Sequence, residues 1–122
     1  MSCEFETAVL QNATNSGDGT AVKKAAVNLA ICKLQAAKRR LIDGQIGNAG
    51  DLAELETEIA ALRYQRQLLE LQNVALPMIG QPTLQAFQDA IFRLETAVAQ
   101  GAVAAAFIAA AGALRGAAAG LA

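Results

Sequence analysis

The chain has 122 residues, of which 54% are hydrophobic and only 4% aromatic, with no Trp, no His and a formal net charge of -1. The absence of histidine removes the commonest general base and the commonest neutral metal ligand, and a near-neutral charge does not suit a protein that binds by neutralising phosphates. Catalysis, cofactor binding, metal binding and nucleic-acid binding are therefore not expected. What remains is one domain or less whose apolar excess is largely Ala, so that its core is thin and partner chains are expected to complete it.

Residues 1–20 read as an N-terminal arm, with one or two helical turns around Phe5, Val9 and Leu10. The cluster Asn12-Ala-Thr-Asn-Ser-Gly-Asp-Gly19 then interrupts any helix. The acidic start lacks a basic stretch followed by an apolar run, so no signal peptide is read and synthesis in the cytoplasm is expected. Cys3 and Cys32 have neither metal-ligand nor CxxC spacing, and two thiols are too few for a secreted disulfide framework. They are assigned a structural or incidental role.

Residues 21–76 read as a helical hairpin. Thr20 is a plausible N-cap for a helix from Ala21 to Ile42, on which Val27, Ile31, Leu34 and Leu41 recur at helical spacing. Asp43-Gly-Gln-Ile-Gly-Asn-Ala-Gly50 breaks it. Asp51 with Glu54 opens a second helix, where Leu52, Leu55, Ile59, Leu62, Arg66, Leu69, Asn73 and Leu76 alternate steps of three and four. Arg66 and Asn73 interrupt that heptad seam and are the candidates for fixing register. The basic residues Lys23, Lys24, Lys33, Lys38, Arg39 and Arg40 spread around most of the first helix, and an antiparallel hairpin would set its basic C-terminal half against the acidic start of the second, Asp51, Glu54, Glu56 and Glu58.

Residues 77–82 hold both prolines and form a turn. Thr83 then caps a third helix occupying residues 83–122. Its seam runs through Leu84, Phe87, Ile91, Leu94, Val98, Gly101, Ala105, Ile108 and Gly112, large in its first half and small in its second. Unbroken to Gly116, this helix would be about 50 Å long at about 1.5 Å per residue. It would overhang the hairpin. Glu95 to Arg115 encloses no charged residue, and Gly112, Gly116 and Gly120 form two overlapping GxxxG spacings.

The expected fold is thus all-α: an elongated three-helix chain, hairpin plus long Ala-rich helix, packed like a coiled coil in a homo-oligomer. The nine seam residues from Leu84 to Gly112 are the expected interface, and the partners are copies of itself or other assembly subunits. By analogy with small helical subunits of phage particles, pili and secretion machines, the expected function is structural, as a scaffold, filament or channel-lining component. The alternative is a membrane-active protein whose Ala/Gly helix inserts in a bilayer as a pore or pilin-like subunit; a small adaptor or chaperone with an amphipathic groove is a third reading.

Overall fold

The computed structural model describes residues 3–44, 47–71, 76–99 and 104–121. Five helices account for most of them: α1 (Glu4–Ser16), α2 (Gly19–Asp43), α3 (Ala49–Glu70), α4 (Gln81–Ala99) and α5 (Ala104–Ala119). The chain is all-α, but it does not take the elongated three-helix form.

The first departure is the arm, which is a full helix through Asn12 to Ser16. Thr14 Oγ1 donates to the Leu10 carbonyl and Ser16 Oγ to the Ala13 carbonyl, both at 2.8 Å, so the turn-forming side chains are satisfied inside the helix. Gly17 then ends it in the left-handed region at φ 73°, where a glycine has no Cβ penalty. At the other end, a Cys3–Cys32 disulfide ties the start of α1 to the middle of α2. This bridge joins residues 29 apart in sequence and closes a covalent loop over α1 and the first half of α2. Burial of Leu10 and Ala13 against α2, together with the tether at Cys3, outweighs the turn propensity of this segment.

The hairpin forms as expected, with caps displaced by a few residues. Asp18, not Thr20, caps α2 by accepting from Ala21 N at 3.2 Å. Thr20 Oγ1 instead accepts from Leu76 N at 2.9 Å and seats the chain that follows α3. Asn48 caps α3 in a reciprocal capping box with Asp51: Asp51 N donates to Asn48 Oδ1 at 3.0 Å, and Asn48 N to Asp51 Oδ2 at 2.9 Å. Asn48→Ala is expected to lower stability by about 1 kcal/mol. A urea titration checks this as a lower midpoint at unchanged slope.

Helix directions follow from the pairs that join them. Lys38 pairs with Glu56, and Arg66 Nη1 donates to Asn28 Oδ1 at 3.2 Å, so α2 and α3 run in opposite directions. Arg115 pairs with Glu58, and Gln65 Nε2 donates to the Ala118 carbonyl at 2.9 Å, so α5 runs with α3. Lys33 Nζ lies 3.0 Å from Glu95 Oε1, with Leu29 near Ile91 and Ala37 near Val98 along the same two elements, so α4 runs with α2. It follows that α4 and α5 are antiparallel. α2 touches every other helix, whereas α3 and α4 do not touch, which leaves α2 and α5 across the short diagonal of a four-helix bundle. The buried alanines 25, 26, 30 and 37 of α2 let its neighbours approach closely.

The long third helix is therefore two helices that pack on each other, ending at Ala99 and resuming at Ala104. Gly101 lies outside the described residues. The physical reason is coverage: Phe87, Ile91, Leu94, Phe107 and Leu114 are all buried when the chain doubles back against α2 and α3. A straight rod would leave half of them in water, at about 1.5–3 kcal/mol for each large side chain. Among the described residues no helix is long and apolar enough to cross a membrane.

Candidate functional site

The expected interface divides into an inner and an outer part. Leu84, Phe87, Ile91 and Leu94 are buried inside the chain itself, and Val98 and Ile108 are half-buried against the same core. Those side chains are consumed by the fold, because α4 lies between α2 and α5 instead of projecting beyond them. Ala105 is exposed and Gly112 is half-exposed.

On α5 the buried positions are Phe107, Ala111, Leu114 and Ala118, at steps of four, three and four. This spacing aims a single stripe at the bundle. The opposite face carries Ala105, Ala109, Gly112, Ala113 and Gly116, all exposed or partly so, and none has a side chain larger than a methyl. A Cβ built on Gly112 or Gly116 would meet nothing within 4 Å. Among the described residues, nothing packs against the Cβ position of either glycine. The two charged residues bounding this region, Glu95 and Arg115, are each engaged in an ion pair, to Lys33 and Glu58 respectively. The outer face of α5 is thus a smooth uncharged strip.

The register candidates have separate fates. Arg66 is half-buried and donates to Asn28 Oδ1 of α2 at 3.2 Å, a contact between two helices of one chain. Asn73 lies outside the described residues. The basic residues of α2 are dispersed: Lys23 is buried, Lys33 and Lys38 are paired, and Arg39 and Arg40 are exposed. Glu58 Oε2 is buried without an aligned hydrogen bond, and the Arg115 guanidinium supplies its counter-charge.

Two grooves flank α1, both floored by α2. Toward α4, a groove of about 370 Å³ is lined by Leu10, Leu29 and Ile91, with Gln11, Asn15 and Gln88 at its edge. Toward α3, one of about 310 Å³ carries Phe5, Ile31 and Cys32 together with Arg63 and Arg66. Beside it, Cys3, Glu6 and Cys32 bring donor atoms within 4.8 Å of one another. The two sulfurs are bonded to each other, so neither is a thiolate, the form that binds metal. Sequence reasoning did not pair the cysteines, although two cysteines in one chain permit only one intramolecular bridge.

Large apolar side chains also remain on the outside: Phe5 is 76% exposed and Phe92 70%, while Tyr64, Leu68 and Leu71 face water along α3. Single exposed apolar residues are ordinary on protein surfaces, but Tyr64, Leu68 and Leu71 recur on one face of the helix that lies parallel to α5. They add bulk next to a strip that has none. No protein-family model matches this chain, and no curated protein and no solved structure matches it.

Proposed function

We propose that the protein is a non-enzymatic assembly subunit that self-associates through the outward face of α5. The observation that carries this reading is the pair Gly112 and Gly116, which sit inside a helix with open space around them. Each glycine costs the helix about 0.8–1 kcal/mol relative to alanine. Among the described residues, no packing at the Cβ position offsets that cost. A second helix crossing closely over the strip would, because small side chains permit backbone approach that a larger residue forbids. Ala105 and Gly112 from the expected seam, together with Ala109, Ala113 and Gly116, form this interface; the larger seam residues support it from beneath. Membrane insertion is disfavoured, since Phe107 and Leu114 would have to leave the bundle core to face lipid. The Cys3–Cys32 bridge supports a working location in an oxidising environment, reached after synthesis in the cytoplasm.

The test uses opposite signs. If the strip stays in water, Gly112→Ala with Gly116→Ala stabilises the chain by about 2 kcal/mol and leaves its mass in solution unchanged. If the strip is an interface, the same double substitution still favours the isolated helix but weakens the assembly. Sedimentation equilibrium of parent and variant over a range of concentrations separates the two, with thermal denaturation of each. A monomeric parent at high concentration, with a more stable variant, would sink the self-association reading, and flotation of the parent with liposomes would promote the membrane reading instead.

A further inference from the structure

The disulfide stands at the N-terminal end of the one helix that packs on a single neighbour among the described residues. Among the described residues, α1 touches no helix but α2. Its side-chain hydrogen bonds all return to its own segment: Thr7 to the Cys3 carbonyl, Thr14 to Leu10 and Ser16 to Ala13. Among the described residues, no ion pair joins α1 to another helix, whereas α2–α3, α3–α5 and α2–α4 each have one. Its buried contribution is Cys3, Leu10 and Ala13, of which only Leu10 is a large side chain. One end of α1 turns at Gly17, a left-handed position directly before α2. The other end is held by Cys3–Cys32.

We propose that α1 is a redox-released flap, latched on α2 by the disulfide and hinged at Gly17. A dithiol reductant opens the latch by thiol–disulfide exchange. Its thiolate attacks one protein sulfur and forms a mixed disulfide. Its second thiol then displaces the remaining protein sulfur, so that two electrons and two protons pass to Cys3 and Cys32 and the reductant leaves as a cyclic disulfide. With α1 detached, the groove toward α4 and the groove toward α3 become one trough along α2. Its floor is Leu29, Ile31 and Cys32, and its walls are Ile91 of α4 and Arg63 and Arg66 of α3. The flap is closed in an oxidising environment and open in a reducing one. α1 does not touch α5, so the device is independent of the proposed assembly face.

The experiment is hydrogen–deuterium exchange on the full chain, oxidised and after dithiothreitol, with free thiols counted in each sample. The expected result is that amides of residues 4–16 exchange at least about tenfold faster after reduction, while those of α2, α3 and α5 change by less than about twofold. Cys3→Ser combined with Cys32→Ser should reproduce that pattern without reductant. Three results overturn the proposal: a bridge that native protein does not surrender to dithiothreitol, a reduced protein whose α1 stays fully protected, or a loss of protection in all five helices together. The last would make the bridge a staple of the whole fold.

Discussion

Phe107→Ala is expected to destabilise the chain by about 3–5 kcal/mol, close to the whole stability of a small domain. Phe107 is fully buried and, with Phe87, is one of the two largest side chains in the core. It sits on the helix that otherwise offers Ala111, Leu114 and Ala118, so no neighbour on that helix can expand to fill the space. The loss should not depend on protein concentration, because the side chain packs within one chain. Chemical denaturation at two concentrations a hundredfold apart checks this. The same parent-to-variant difference at both concentrations identifies an internal core residue, since self-association shifts parent and variant alike. A deficit that high concentration repairs would place Phe107 in an interface between copies and overturn the bundle described above.

What was legible in the sequence was the periodicity of individual helices, and what was not was how the chain spends its surfaces. Leu55, Ile59, Leu62 and Leu69 are buried as their spacing requires, and the charge opposition that predicts an antiparallel hairpin appears as the Lys38–Glu56 pair. The seam through Leu84, Phe87, Ile91 and Leu94 was also legible, as an apolar stripe. A stripe does not say whether it is covered by a copy or by the same chain. That depends on where the helix ends, and Ala has such high helix propensity that the uncharged run carries no stop signal stronger than one glycine. Composition pointed to a thin core, and the small residues of α2 and α5 are what let four helices approach across a diagonal within one chain. The N-terminal segment is helical for a non-local reason: Leu10 and Ala13 pack on α2, and Cys3 is bonded to a residue 29 positions away. The outer strip of α5 was visible as GxxxG spacing, but only the empty space around Gly112 and Gly116 separates it from internal packing.

That empty space contrasts with Gly19, where substitution should have a large effect of opposite origin. A Cβ at Gly19 would lie 2.1 Å from the Pro77 carbonyl oxygen and 2.6 Å from that of Leu76. Both are backbone atoms, which cannot rotate aside as a side chain does. Thr20, the next residue, accepts the Leu76 N–H at 2.9 Å, so the start of α2 and the segment entering α4 are held together at two adjacent positions. Gly19→Ala must push that segment outward and break this hydrogen bond, at about 1–3 kcal/mol for the overpacking and about 1 kcal/mol more for the lost bond. Helix propensity alone predicts the reverse sign, a gain of up to about 1 kcal/mol from replacing a helical glycine. The two effects therefore separate cleanly in a denaturant titration. Gly19→Ala is expected to lose about 1–3 kcal/mol net, against about 1 kcal/mol for Thr20→Val, which removes only the hydroxyl acceptor. A stabilised Gly19→Ala variant would mean that residues 76 and 77 do not rest on α2, and the crossing from α3 to α4 would then have to take another path.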